Sequence, residues 1–414
     1  MCNVDINSLI SPMLTEEELY ERMLRLPENY LVGQNVSKTE SLMMLDDIYN
    51  MYIPSSMSTE IYTKMYLSVI RALRKKCSKE SIQLRNNNAR IIRGLNTYQG
   101  TNAGDCFTVV GDSGIGKSCT IARVIEMIGN EVIEIEEPFF CNVIPVLQVQ
   151  TPHDCSVKSL LLAILSEVDK VLGSDYYEVA IKTRATLNVL ISSVSTICIN
   201  HVCLLVVDEI QNVIKHRAGN TLVTSLTQLI NSSGISLCMV GTPEVEEFFR
   251  TQDYLSRRTM GLKYEKLEYN QFFKEFCRLV FRYQYTIQQT EITEGIINWL
   301  YEHSGGALAI VIALWHDAQE IAILTDRVCV DMELLIGTYQ KRMSMVHTHI
   351  NVRVDKKRSA SNKKIAHKVG MEECVAKKED EDILIRLAER AKTNKEDVVE
   401  LLLKNNITVV QINM

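Results

Sequence analysis

The stretch Cys106-Phe-Thr-Val-Val-Gly111-Asp-Ser-Gly-Ile-Gly-Lys-Ser118-Cys-Thr-Ile-Ala-Arg-Val-Ile-Glu-Met-Ile128 decides the fold. Gly111–Ser118 satisfies the phosphate-loop pattern GxxxxGK[ST] in full. Its flanks carry as much weight as the string. FTVV ahead of it reads as a buried strand, and CTIARVIEMI after it reads as an amphipathic helix. Glycines at those positions let backbone amides curl around phosphates, and the helix start adds free N–H groups and a favourable dipole. The pattern predicts that Gly111, Asp112, Ser113, Gly114, Ile115, Gly116, Lys117, Ser118 and Cys119 line a nucleotide, ATP, with Lys117 reaching its β- and γ-phosphates. Ser118 is expected to offer its hydroxyl to Mg²⁺.

A second acidic motif lies downstream. Cys203-Leu-Leu-Val-Val-Asp208-Glu209 is an apolar run ending in adjacent carboxylates. Asp208 is the expected Mg²⁺ partner, directly or through water, and Glu209 the expected base that activates water.

Around these motifs, residues 105–250 alternate apolar runs with amphipathic segments. Strands are expected at Cys106–Val110, Val143–Val149, Val202–Val207 and Ile235–Val240. Helices are expected at Thr120–Ile128, Ser156–Glu167 and Thr221–Ile230, with another starting at Glu244–Arg250. That repetition predicts an α/β fold, a parallel sheet covered by helices on both faces. Helical patterns also occupy Ser41–Tyr52 and Glu60–Lys76 ahead of the core, 268–340 after it, and 379–405 near the end. The domains read as an N-terminal helical region at 1–104, an ATP-binding α/β core at 105–267, and a small helical lid at 268–340. A basic linker and partner-binding tail follow at 341–414. Residues 341–368 hold nine Lys/Arg against one acid, Asp355.

Composition bounds the class. The chain has 414 residues, 46% hydrophobic and 23% charged, a globular balance. The net charge of −6 announces no global basic field, leaving local patches as the route to nucleic acid. No apolar run approaches the roughly 18–20 residues that cross a bilayer. The opening MCNVDINSLISPML lacks a basic region before a long apolar core, so no signal peptide and no membrane association are expected. The twelve cysteines form no CxxC pair. Cys119, Cys198, Cys203 and Cys238 sit in or beside apolar segments, as buried free thiols of a reducing compartment would.

These motifs resemble the AAA+ superfamily, where the hydrolytic acid follows the Walker B aspartate as Glu209 follows Asp208. The resemblance makes Thr242, in Leu237-Cys-Met-Val-Gly-Thr242-Pro243, the sensor that ends the next strand. It makes Arg258, or else Arg257, in YLSRRTMG the finger that a subunit inserts beside its neighbour's γ-phosphate. Many members carry a sensor-2 arginine after the lid glycines; Gly305-Gly-Ala-Leu-Ala-Ile310 has none.

Within that superfamily, roughly residues 25–340 resemble the ATPase regulators of heteromeric bacterial transposons, the TnsC/TniB family. Tyr30-Leu-Val-Gly-Gln34 is similar to the family's motif near the adenine and makes Val32 a nucleotide contact. Gln150-Thr-Pro-His-Asp154, LLVVDEIQNV at 204–213, VGTPEVEEFF at 240–249 and YEHSGGALAIVIALWHDAQ at 301–319 carry the rest.

The resemblance implies ATP-driven assembly as a ring or helical oligomer on double-stranded DNA. It also implies contacts with a target-selection protein and with the transposase and its endonuclease subunits. The location implied is the bacterial cytoplasm, nucleoid-associated on DNA. Candidate phosphate-backbone donors are Thr151, Lys158, Lys182, Arg184, Lys215 and Arg217. His153 and Asp154 read as loop-shaping residues. The basic 341–368 stretch fits a grip on DNA, a transposase-docking tail or a solvated linker. An initiator or helicase-loader ATPase, and a STAND-like signalling NTPase, share the same ATP chemistry and stay open at this point.

Overall fold

In the computed structural model, residues 6–27, 36–77, 105–136, 141–152, 156–214, 235–250 and 261–343 are described. All of them fall within the unit Met1–Ile350. The strands are β1 (Cys106–Gly111), β2 (Ile133–Ile135), β3 (Cys141–Gln150), β4 (Val202–Asp208), β5 (Ser236–Gly241) and β6 (Leu262–Tyr264). They form one sheet in the order β2-β3-β4-β5-β1-β6. β4, buried along its whole length, lies between β3 and β5, parallel to both. A strand covered on both faces has no polar side, which is why its sequence is a continuous apolar run.

The expected parallel sheet is present with two additions: β2 pairs antiparallel with β3 at one edge, and β6 pairs parallel with β1 at the other. β2 and β6 are three residues each, too short for a periodic signal.

The helices are α1 (Ile6–Leu9), α2 (Glu16–Met23), α3 (Lys38–Leu45), α4 (Ser56–Lys76), α5 (Lys117–Ile128), α6 (Val157–Leu172) and α7 (Tyr176–Lys182). They continue as α8 (Leu187–His201), α9 (Gln211–Ile214), α10 (Pro243–Arg250), α11 (Gln271–Val280), α12 (Glu294–Ser304), α13 (Leu308–Leu324) and α14 (Met332–Arg342). Leu205 and Val207 of β4 pack with Leu160 and Ile164 of α6 and Leu190 and Val194 of α8. Their sequence neighbours Leu204 and Val206 pack with Tyr62 and Val69 of α4 and Ile121 and Val124 of α5. The two-residue alternation of a strand thus feeds both cores. Each fully buried aliphatic side chain contributes roughly 1.5–3 kcal/mol.

The expected helix over Ser41–Tyr52 is instead α3 followed by a tight 3-10 turn, Asp46–Asn50. α3 starts where Ser37 and Glu40 form a capping box. Its Leu45, with Ile48 and Met51, packs among Phe273, Trp315 and Leu335 of the helices that follow the sheet. α2 and α4 pack on the sheet instead, through Leu19, Met23 and Tyr62. The N-terminal stretch therefore divides between two cores. In that second core, Trp315 is fully buried, stacks on Phe281 at 3.7 Å, and donates its indole N–H to Tyr283 O at 3.1 Å.

A buried lysine ties α4 to α8: Lys76 Nζ donates to the carbonyls of Cys198, at 3.1 Å, and Ile199. Those carbonyls belong to the last turn of α8, where backbone donors run out; the Cys198 carbonyl also accepts the N–H of Val202, the residue that caps the helix. Among the described residues no single helix is long and apolar enough to cross a membrane. The expected helix at Thr221–Ile230, the 341–368 basic stretch beyond Met343, and 379–405 lie outside the described residues.

Candidate nucleotide-binding site

The sheet register brings the motifs together. Gln150 of β3 pairs with Asp208, and Val110 of β1 pairs with Gly241 of β5. Four parallel strands thus end at one edge, the side of an open α/β sheet where ligands bind.

From β1 the chain turns through the phosphate loop. Gly111 has no room for a side chain, since a Cβ would lie 2.6 Å from Ile115 Cδ1 and 2.7 Å from Tyr264 O. Gly114 and Gly116 have φ of +81° and +95°, a conformation that costs other residues about 1–2 kcal/mol. α5 begins at Lys117 with Gly116 as its cap, no side-chain cap bond and no acid in its first turn. That leaves a helix N-terminus with its dipole uncompensated, which favours an anion. Ser113, Ser118 and Cys119 are exposed, Ile115 is buried and Asp112 is half-buried.

Lys117 Nζ donates to the carbonyls of Gly111, at 2.7 Å, and Asp112, at 2.8 Å. Desolvation lowers its ammonium below the ordinary lysine value, and Glu209, Asp208 and Asp112 oppose that shift. A cation held by neutral carbonyls, near carboxylates and beside left-handed glycines, fits the phosphates of ATP. Cys119 departs from the expected set of buried thiols. It is exposed, although the surrounding protein still raises its thiol above the ordinary value, whereas Cys198, Cys203 and Cys238 are fully buried.

Asp208 is buried, and its Oδ1 accepts the Glu209 N–H at 2.8 Å. Glu209 itself is half-buried and has φ of +57°, a rare conformation for a side-chain-bearing residue, of the kind that clusters at functional sites. The exposed Ser118 hydroxyl and the Asp208 carboxylate are oxygen donors of the type Mg²⁺ takes.

Gln211, the first residue of α9, was read in the sequence only as part of a motif. In the fold it is buried, donates through Nε2 to Glu209 Oε2, and accepts the Thr242 N–H at Oε1, 3.4 Å away. Its place two residues after Glu209 was the available signal, but a buried role is invisible without β5. The Thr242 hydroxyl donates to Glu244 at 2.8 Å.

The helices after the sheet touch the site through backbone: Ala309 N, in the first turn of α13, donates to Gly114 O at 3.3 Å. The N-terminal stretch touches it through Tyr52, whose hydroxyl donates to Thr120 Oγ1 at 2.9 Å.

Among the DNA candidates, Lys158 is exposed at the start of α6. Lys182 is exposed and paired with Glu178 at 2.7 Å, and Arg184 is exposed with φ of +50°. Thr151 requires correction. It is buried, and its hydroxyl donates to the Asp208 carbonyl at 2.7 Å, so it braces the Asp208 strand end and is closed to a DNA backbone. The expectation failed because a residue one step past a strand still belongs to that strand's edge. Val32, His153, Asp154, Lys215, Arg217, Arg257 and Arg258 lie outside the described residues.

Fold and site together define an α/β core of the P-loop nucleotide-binding type. Residues 101–249 match the family model described as an AAA domain. No curated protein matches the chain. Among solved structures, the Aeropyrum pernix ORC1 protein in complex with DNA aligns at 13% identity and TM-score 0.42, covering 64% of this chain and 65% of that one. The chain thus spans just under two thirds of that protein's length. Drosophila ORC bound to DNA aligns at 12% identity and TM-score 0.39, covering 96% and 88%. Domain III of the Thermotoga maritima replication initiation protein DnaA aligns at 17% and 0.36, covering 58% and 85%. At those scores no functional weight rests on them.

Proposed function

We propose that this chain is an ATP-dependent, DNA-binding regulator of DNA transposition that oligomerises on duplex DNA and hydrolyses ATP. In this reading it links a target-selection protein to the transposase and its endonuclease subunits. The observation that carries the ATPase part is the meeting of Lys117, Asp208 and Glu209 at one edge of the sheet. The transposition part rests on the resemblance of residues 25–340 to TnsC/TniB regulators.

Lys117 and the amides of Gly111–Cys119 bind the phosphates, and Val32 lies at the base. Ser118 and Asp208 hold Mg²⁺, which when bound neutralises charge on the phosphates. Glu209 takes a proton from the water that attacks the γ-phosphorus, while the bond to the β-phosphate oxygen breaks and ADP leaves. Thr242 senses the γ-phosphate. Arg258 or Arg257 of a neighbouring copy stabilises charge there, an effect worth roughly 10³–10⁵ in rate where such fingers are known. Hydrolysis then depends on assembly, and ATP stabilises the assembled form by linkage. Residues 1–104, 105–267, 268–340 and 341–414 serve as lead-in, core, lid and partner-binding tail.

DNA contact runs along the phosphate backbone through Lys158, Lys182, Arg184, Lys215 and Arg217, which makes binding strongly salt-dependent. The protein works in the bacterial cytoplasm, nucleoid-associated on DNA. Sedimentation and ATP turnover of the wild type and Glu209→Gln, with and without duplex DNA, test the reading. Large assemblies that need ATP and DNA, kept by the variant without turnover, are expected. A chain that stays monomeric and indifferent to DNA sinks it.

A further inference from the structure

Gln211 spans the ends of two strands. Its side chain is 5% exposed, its Nε2 donates to the Glu209 carboxylate, and its Oε1 accepts the N–H of Thr242 at 3.4 Å, just past the end of β5. Gly241 makes the room: a Cβ there would lie 2.7 Å from Gln211 Oε1.

The amide cannot be turned over. Reversal would set its carbonyl against a carboxylate and its NH2 against an N–H, replacing two attractions by two repulsions. The Thr242 contact therefore selects the face that donates to Glu209.

The Glu209 backbone is already fixed on both sides. Its N–H is held by Asp208 Oδ1 at 2.8 Å, and its carbonyl accepts Asn212 N at 3.0 Å. What remains free is the carboxylate, and Gln211 takes that freedom away.

We infer that Gln211 is a positioning residue: it holds the Glu209 carboxylate in an orientation dictated by the end of β5, so that any shift of Gly241–Thr242 is passed to the base. This rests on reading Glu209 as the base of ATP hydrolysis. The proximity of Thr242 then has a second meaning. Besides its hydroxyl, its backbone N–H bears on catalysis through the Gln211 amide.

Gln211→Glu in the full chain is the decisive variant. It is isosteric and keeps the acceptor for Thr242, but replaces the donor to Glu209 by an acid. Gln211→Leu removes both bonds. ATP turnover, binding of a fluorescent ATP analogue and the melting temperature are measured for both, alongside wild type and Glu209→Gln.

The expected result for Gln211→Glu is a kcat about 10²-fold lower, as for a misplaced catalytic group. Analogue affinity stays within about twofold, since Gln211 reaches the base and not the phosphate loop.

Unchanged kcat in both variants, in a wild-type background that turns over, would overturn the inference. So would a loss of kcat that only tracks a fall in affinity and melting temperature. A Glu209→Gln variant as fast as wild type would instead bring down the reading of Glu209, and this inference with it.

Discussion

Gly114 and Gly306 form a natural matched pair. Their φ angles are +81° and +80°, so alanine at either pays the same left-handed strain, about 1–2 kcal/mol. Their surroundings differ. A Cβ at Gly114 would meet Ala307 Cβ at 3.6 Å and Ala309 Cβ at 4.0 Å, which is ordinary contact. A Cβ at Gly306 would lie 2.0 Å from Leu267 O, in the backbone that leads into the lid. Backbone cannot swing aside as a side-chain tip can, so an overpacking cost of about 1–3 kcal/mol is added. Gly306→Ala should therefore cost about 2–5 kcal/mol and Gly114→Ala about 1–2 kcal/mol.

The chain's two tryptophans, Trp299 and Trp315, both lie in lid helices, so intrinsic tryptophan fluorescence in urea without nucleotide reports on the lid. Gly306→Ala should lower that midpoint well below wild type, while Gly114→Ala should lower it by less, in line with its smaller cost. Binding of a fluorescent ATP analogue should show the reverse order for Gly114→Ala. A displaced amide at the phosphate loop forfeits a charge-assisted bond worth about 1.5–3 kcal/mol, roughly 10- to 100-fold in affinity. Equal midpoints for the two variants would refute the close-approach argument. Unimpaired nucleotide binding by Gly114→Ala would refute the place given to that loop.

Lys117→Met should cost ATP affinity more than 10-fold by the same bond energy, about 1.5–3 kcal/mol, yet leave the nucleotide-free melting temperature level or higher, because burial already disfavours the charge. A drop in both would assign Lys117 a structural role. Lys76→Met removes a buried donor from the Ile199 carbonyl and leaves that of Cys198 with the Val202 N–H, and should cost about 1–3 kcal/mol in urea unfolding followed by far-UV circular dichroism. An unchanged midpoint would mean that the α8 end is satisfied otherwise. Burial pushes the Cys198, Cys203 and Cys277 thiols up to about 12 from 9.0. The unfolded chain releases those protons first, so stability is full below pH 9 and falls as pH rises towards 12. The loss is about 1.4 kcal/mol per pH unit per thiol. Urea midpoints at pH 8 and pH 10 check it, and an alkaline plateau would contradict it.

Much of the site was legible because its signals are local. Gly114 and Gly116 permit the positive φ that a phosphate loop uses, at no steric cost, and the Val202–Asp208 run needs cover on both faces to be so apolar. Other features were not local. β2 and β6 are three residues each, and a pairing of that length leaves no period in sequence. The helices α7 and α8 were not anticipated, although Leu190, Ile191, Val194 and Cys198 mark a buried face of α8. Thr151 looked like a surface hydroxyl beside a loop until the β3–β4 register put it against the Asp208 carbonyl.

The sequence alone determined the phosphate loop, the Asp208–Glu209 pair and the α/β class, since each is written in contiguous residues whose backbone demands are intrinsic. Only the tertiary structure decided how distant segments meet. It joined Gln211 to Glu209 and Thr242, set Ala309 of the lid on Gly114, and divided the N-terminal stretch between the sheet and the lid. Those contacts arise from strand order and from which apolar face each helix buries. Both are properties of the packed whole, and side-chain type at a single position carries no record of them.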